Sequence, residues 1–205
     1  MKPLLLIGGG GHCRSCIDVI ETEGTFQIAG IVERSGGPPK PVLGYSVLGF
    51  DEILPTLRKH NDHALVTVGQ IKSVESRIRL FTQLKDLGFI LPVVISSQAY
   101  VSKHSTVEEG TVILHKAVVN VGVSVGSNCI INSQALIEHD AVIGSDCHIS
   151  TGAKVNGGCL ISKQTFVGSG AIIHEDVQVG EKCIIGAGCI VRENLPSETK
   201  FNRQS

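Results

Sequence analysis

The stretch Ala135-Leu136-Ile137-Glu138-His139-Asp140-Ala141-Val142-Ile143-Gly144-Ser145-Asp146-Cys147-His148-Ile149 holds the pattern that decides the fold. Ile137, Ile143 and Ile149 stand six apart, and two places before each lies a small residue: Ala135, Ala141 or Cys147. The step continues in both directions. From Ile95 through Val101, Val107 and Ile113 to Ile185 and Val191, every sixth residue is Ile or Val, in a chain of which only about a fifth is Ile or Val. The companion series, from Ala99 to Cys189, contains nothing larger than Val.

A branched and a small inward residue at strand spacing, renewed every six residues, is what a triangular parallel β-helix demands, because its corners leave no room for bulk. Three six-residue steps make one coil, so each residue stacks on the one 18 places further on, roughly 4.8 Å away. Five of the seven cysteines (Cys129, Cys147, Cys159, Cys183 and Cys189) fall in the small inward series and read as packing residues. The residues before the Ile/Val series point outward in three rows. Val94, Val112, Ile130, His148, Phe166 and Ile184 form one; Tyr100, Val118, Leu136, Lys154, Ile172 and Ile190 the next; Thr106, Ser124, Val142, Leu160 and Gln178 the third. The first two rows are too apolar for water, which predicts a homotrimer of prisms, or cover of part of one face by the N-terminal segment.

Ahead of the repeat, Leu4-Leu5-Leu6-Ile7 reads as a buried strand, Gly8 to His12 as a glycine turn, and the segment with Cys16, Ile17 and Ile20 as a helix. Further strands are expected at Phe26 to Val32 and Ala64 to Val68, and helices near Asp51 to Lys59 and Val74 to Leu87, giving a small parallel α/β domain. Ser35 to Pro39 reads as a surface loop within it. The expected organisation is residues 1–90 as an α/β, half-Rossmann nucleotide- or sugar-binding domain, 91–192 as the β-helix, and 193–205 as a tail. The glycine loop departs from a dinucleotide fingerprint, since Cys13 takes the third glycine position, and about 90 residues hold only half of a dinucleotide fold. Such a loop opening a helix still suits a phosphate.

Lys+Arg 18 against Asp+Glu 19 and the absence of a basic run argue against nucleic acid as a partner. The apolar stretch at Leu4 to Ile7 is too short for a signal peptide, and nowhere do about 18 apolar residues run together, so a cytoplasmic protein without membrane spans is expected. No zinc spacing is present and no metal is expected. Cys13 and Cys16 formally match CxxC, which leaves redox or metal chemistry open beside helix packing.

Leu6-Ile7-Gly8-Gly9-Gly10-Gly11-His12, Thr67-Val68-Gly69-Gln70-Ile71-Lys72-Ser73 with Arg77 following, and Ile137-Glu138-His139-Asp140 leading to His148 and Gly157 resemble the bacterial sugar acetyltransferases of the hexapeptide-repeat superfamily. These comprise sialic acid O-acetyltransferases and UDP-4-amino-sugar N-acetyltransferases. The resemblance implies a left-handed β-helix, acetyl-CoA as co-substrate, and acetyl transfer to a hydroxyl or amine of a sialic-acid-like or nucleotide-linked sugar. It implies His139 as general base with Asp140 supporting its ring, and His148, Gly157 and Ala187 at acetyl-CoA. Gly8, Gly10, Gly11, His12, Glu33, Arg34, Gly69, Gln70 and Asn132 would contact sugar or nucleotide. Glu33-Arg34 stands where relatives often carry paired aspartates that read uracil, and residues 193–205 depart from the family's tail.

The physical case for His139 is independent: imidazole titrates near neutral pH, and an adjoining carboxylate favours the tautomer a base needs. Since 139 + 18 = 157, Gly157 stacks one coil beyond His139, where its N–H could hold an oxyanion. The bland alternative makes Asn156-Gly157-Gly158 a turn that requires positive φ. At the level of function, the alternatives are a non-catalytic β-helix that binds a sugar nucleotide for partner enzymes, which has no use for that register, and an NAD-dependent oxidoreductase, which Cys13 and the short domain disfavour.

Overall fold

The computed structural model describes residues 1–34, 40–70 and 73–202; the expected loop at 35–39, Ile71 and Lys72, and residues 203–205 lie outside them. The chain divides into two compact units, Met1–Ser97 and Gln98–Ser205.

In the first unit, β1 (Lys2–Ile7), α1 (Gly11–Glu23), β2 (Phe26–Glu33), β3 (Val47–Phe50), α2 (Leu54–Arg58), β4 (His63–Val66) and α3 (Glu75–Asp86) follow in order. The strands form one parallel sheet in the order β3-β2-β1-β4. Leu4 to Ile7 are buried because β1 is central, with neighbours on both edges and apolar cover on its faces. The sequence reading missed β3: it is a short edge strand interrupted by Gly49 at φ 153, so it lacks the apolar run that marks its neighbours. One turn of 3₁₀ helix, Asp51–Ile53, leads into α2. Gly24 ends α1 in the left-handed region at φ 73, its N–H donating to Ile20.

Cys13 and Cys16 both lie buried on α1. Burial pushes their thiols up to about 11 and about 12, which favours the helix-packing reading of the CxxC spacing.

In the second unit each hexapeptide contributes a two-residue strand, and strands 18 residues apart pair in parallel: Ile130 with His148, Leu136 with Lys154, Val142 with Leu160. The inward series is buried throughout its middle, Ala135, Ile137, Ala141, Ile143, Cys147 and Ile149 among them. One inward column is built only of cysteine and threonine, and its hydrogen bonds show why. Thr111, Cys129, Cys147 and Thr165 donate to the carbonyls of Gly126, Gly144, Ser162 and Gly180 at 2.8, 3.1, 3.1 and 2.9 Å. A small side chain with a donor fits the corner and satisfies a buried carbonyl that alanine would leave unpaired.

Two expectations change. The first outward row, expected to be covered by partner copies or in part by the N-terminal segment, is already buried within the single chain: Val112 and Ile130 are fully buried and His148 is 5% exposed. The tail continues the helix beyond residue 192. Lys200–Phe201 pairs with Ile184–Ile185, and Leu195 bridges Val179. The spacing there is 201 − 185 = 16, two short of a full coil, which hides the last strand from a strict count of six. Asn194 Oδ1 and Ser197 Oγ accept the N–H groups of Gln178 and Glu181 at 2.8 and 3.1 Å.

Ala135 has no exposed surface, so Ala135→Leu should force overpacking of one coil and lower stability by about 1–3 kcal/mol. Urea denaturation of the variant beside wild type measures it.

Candidate active site

The parallel ladder sets the corners in register. Gly122, Asp140, Gly158 and Asp176 recur every 18 residues with φ of 74, 59, 68 and 59°. A left-handed residue turns the chain at each level, and glycine or aspartate is what tolerates it. His139 precedes Asp140 at that corner. Its Nδ1 lies 2.9 Å from Asp140 Oδ2, and its ring is about 60% exposed.

Gly157 is the next residue along this column, and its reason for being glycine is visible. Its φ is not positive, in contrast to Gly158, so the turn does not require it. A Cβ at Gly157 would instead come within 2.8 Å of both Nε2 and Cε1 of His139. The imidazole lies against bare backbone. Among the described residues, the Gly157 N–H has no hydrogen-bond partner, while its carbonyl accepts from Asp176 N–H at 3.0 Å. Carboxylates surround the ring. The bond to Asp140 raises the His139 pKa above the usual 6.5, slight desolvation opposes it, and the charges of Asp140, Glu138 and Asp176 add to the rise. Glu138 is held by Asn120 Nδ2 at 2.7 Å.

His148 and Asn132 meet elsewhere. The Asn132 amide nitrogen is 3.1 Å from His148 Nε2, Asn132 Oδ1 accepts the Ser133 N–H, and the His148 ring stands edge-on to Phe166 at 5.2 Å. This corner follows the strand Ile130–Ile131, whereas His139 follows Leu136–Ile137. Ala187 lies at the Asn132 corner, in the column of Ser133, Thr151 and Ser169, marked by the bonds Gly152 to Ser133, Gly170 to Thr151 and Gly188 to Ser169. One chain therefore gathers His139, Asp140 and Gly157 at one corner and His148 and Asn132, with Ala187 in their stack, at another.

In the first unit the glycine loop joins β1 to α1. Gly8, at φ 103, could bear no Cβ, which would fall 2.5 Å from Val68. Around Gly10 and Gly11 a Cβ would meet nothing within 4 Å, so the start of α1 is open. Gly69 packs on His12, whose Nε2 is 3.5 Å from Cys16 Sγ. Thr67 Oγ1 donates to Gly8 at 2.6 Å, and the buried Arg77 guanidinium donates to Val66 and Val68 at 2.8 and 3.0 Å, fastening the segment after β4 to the loop. Gln70, in that segment, is buried. Glu33 accepts the Gly9 N–H at 2.9 Å and, with Arg34, lines a cavity at the ends of the strands. The tie between Gly9 and Glu33 was missed in the sequence, because it joins residues 24 apart through a strand crossing that no motif marks.

Residues 3–84 match the family described as PglD N-terminal domain, and residues 122–157 and 158–193 match bacterial transferase hexapeptide (six repeats). A histidine-to-asparagine variant of perosamine N-acetyltransferase from Caulobacter crescentus, solved with CoA and GDP-perosamine, shares 31% identity over 97% of this chain and 92% of its own, with a TM-score of 0.91. The chain belongs to the hexapeptide-repeat sugar acetyltransferases. The acetyltransferase domain of PglB from Neisseria gonorrhoeae, with acetyl coenzyme A, is 30% identical over 95% of this chain and 93% of its own, TM-score 0.87. WeeI from Acinetobacter baumannii, at 20% identity over 97% of this chain and 95% of its own with a TM-score of 0.74, shares the fold. No curated protein sequence matches this acetyltransferase. Among the described residues no helix is long and apolar enough to cross a membrane.

A base must be neutral to act. If His139 is that base, the acid limb of kcat/KM should sit above pH 6.5, with activity falling as pH drops through the raised His139 pKa. Asp140→Asn removes the largest cause of the rise and should move that limb to lower pH. A pH profile of both proteins reads the shift.

Proposed function

We propose that this acetyltransferase moves the acetyl group of acetyl-CoA to the amine of a nucleotide-linked amino sugar, with His139 as general base. The observation that carries the reading is the His139 imidazole lying against Gly157, where backbone replaces a side chain beside the ring. The acceptor amine attacks the thioester carbonyl carbon. His139 Nε2 takes its proton, the carbonyl oxygen becomes an oxyanion accepting from the Gly157 N–H, and collapse expels the thiol sulfur, which takes the proton from the imidazolium. Asp140 on Nδ1 leaves Nε2 as the free acceptor and stabilises the imidazolium. Direct attack suffices because holding both substrates together supplies the catalytic advantage that a covalent intermediate would otherwise provide.

The charges of Glu138, Asp140 and Asp176 would draw in a cationic amino sugar, which gives one proton to solvent before the neutral amine attacks, and this favours an amine over a hydroxyl acceptor. Perosamine N-acetyltransferase, with GDP-perosamine bound, supports the same acceptor class. His148, Asn132 and Ala187 would serve acetyl-CoA and sugar from the other corner, and Gly8, Gly10, Gly11, His12, Gly69 and Gln70 the nucleotide at the open start of α1. We propose further that the protein is a cytoplasmic homotrimer. Tyr100, Val142, Leu160 and Ile190, 39–59% exposed, would be covered, and a neighbour's Asn132 corner could then face His139.

Thiol release from acetyl-CoA, measured across amino sugars, sialic acids and their nucleotide conjugates, tests the assignment; turnover confined to nucleotide-linked amines is expected, and no release with any acceptor would refute it. His139→Ala should stay folded and lose at least about a hundredfold in kcat. Near-normal turnover by the folded variant would remove His139 as the base.

A further inference from the structure

The corner that carries His139 alternates between two forms along the β-helix. Asn120-Val121-Gly122 and Asn156-Gly157-Gly158 open on asparagine and end on glycine; Glu138-His139-Asp140 and His174-Glu175-Asp176, one coil beyond each, end on aspartate. Both aspartates fold back over the glycine of the preceding coil. A Cβ at Gly122 would collide with Asp140 Oδ1, and a Cβ at Gly158 with Asp176 Oδ1. Their partners differ. Asp140 follows a histidine and its Oδ2 lies 2.9 Å from the ring Nδ1. Asp176 follows Glu175, one oxygen of which accepts from Asn156 Nδ2 at 3.2 Å. Among the described residues the Asp176 carboxylate has no hydrogen-bond partner; only its backbone N–H is bonded, to Gly157.

The ring that Asp176 lacks in its own coil stands across the bare one. His139 leans forward over Gly157, where a Cβ would lie 2.8 Å from Nε2, and Asp176 leans back over Gly158, the next residue. The Asp140 hydrogen bond is the largest cause of the raised His139 pKa and the Asp176 charge a smaller one, so this carboxylate stands within the field of the imidazole. Two acceptors, Nε2 and a carboxylate oxygen, thus face one patch of bare backbone from its two ends, beside the Gly157 N–H.

An attacking amine fits that pair by count. It carries two N–H donors and one lone pair, so each acceptor can meet one donor while the lone pair is aimed at the thioester carbon. A hydroxyl has a single O–H. Once His139 accepts it, Asp176 faces only oxygen lone pairs, and a site built for a second donor rejects a group that lacks it. Resting on the reading of His139 as the base, we propose that Asp176 is a second catalytic residue, which accepts a hydrogen bond from the acceptor nitrogen opposite His139 and so selects an amine over a hydroxyl. Asp176 takes no proton. Of the three on the arriving ammonium, one has gone to solvent, His139 takes the second as the N–C bond forms, and the third stays on the product amide.

Kinetics on the full chain test this, with the nucleotide-linked amine that thiol release selects, GDP-perosamine being the first probe, and the analogue bearing a hydroxyl in place of that amine. Asp176→Gly removes the carboxylate at a corner whose φ of 59° glycine adopts freely. Asp176→Asn keeps the shape and an acceptor oxygen without the charge. On the pH-independent plateau of kcat/KM, where His139 is neutral, Asp176→Gly should lose at least about tenfold with the amine, and at least about tenfold more than with the hydroxyl analogue. Asp176→Asn should lose less. A folded Asp176→Gly with wild-type kcat/KM for the amine, or equal losses with amine and hydroxyl, would overturn the proposal. If Asp176→Gly fails to fold, the same comparison on Asp176→Asn decides; if no protein turns over the hydroxyl, the amine arm decides alone. The two readings fail separately: near-normal turnover by His139→Ala removes the base while a loss in Asp176→Gly stands, and an inactive His139→Ala beside a normal Asp176→Gly removes Asp176 only. No thiol release by the wild-type protein with any acceptor removes both.

Discussion

The parallel ladder between coils is the constraint on which the rest depends. Asn120 donates to Ile137, Glu138 to Val155 and Asn156 to Ile173 at 3.0, 2.9 and 3.1 Å, so each corner is placed by backbone bonds, and side chains there inherit their neighbours from the chain's arithmetic. His139 meets Gly157 because 18 residues separate them, and a one-residue slip in any coil would replace glycine by Asn156 or exchange the left-handed residue. The inward columns hold that count. Their small members leave the triangle just wide enough for Ile and Val, and the Thr and Cys hydroxyls and thiols close the corner carbonyls.

Much of this was legible in the sequence for one physical reason: a repeat enforces the same packing requirement at every level, so each hexapeptide votes for the same register. The strands from Tyr100 to Val191 and the column from His139 to Gly157 follow from it. What escaped was non-repetitive. Strand Val47–Phe50 has Gly49 in its middle and one neighbour only. The final strand, Lys200–Phe201, sits after a coil two residues short. The outward rows could not be ranked by composition, because the Val112–Ile130–His148 row is buried in the single chain while Tyr100 and Leu160, no more apolar, remain exposed. The glycine at 157 was open to two readings until its φ and its distance to the imidazole separated them.

If His139 is the proposed base, the carboxylates at its corner have a use, although a base must lose its proton to work. A neutral imidazole is enough to accept from an amine, but the imidazolium formed must persist until the leaving thiolate takes the proton. In that reading Asp140, bonded to Nδ1, and the charges of Glu138 and Asp176 would stabilise the cation. The rise in pKa costs some neutral fraction at lower pH and strengthens the base, the balance expected of a catalyst working near neutrality.

The central claim is that Gly157 is glycine for the sake of His139 and not for the fold. Gly157→Ala tests it directly, with melting temperature and kcat/KM for acetyl-CoA measured on the same preparation. Because the intruding Cβ meets the end of a half-exposed side chain and not backbone, the ring can swing aside, so the account predicts a melting temperature close to wild type and kcat/KM lower by at least about tenfold. A variant that melts many degrees lower while its folded fraction keeps wild-type kcat/KM would contradict it.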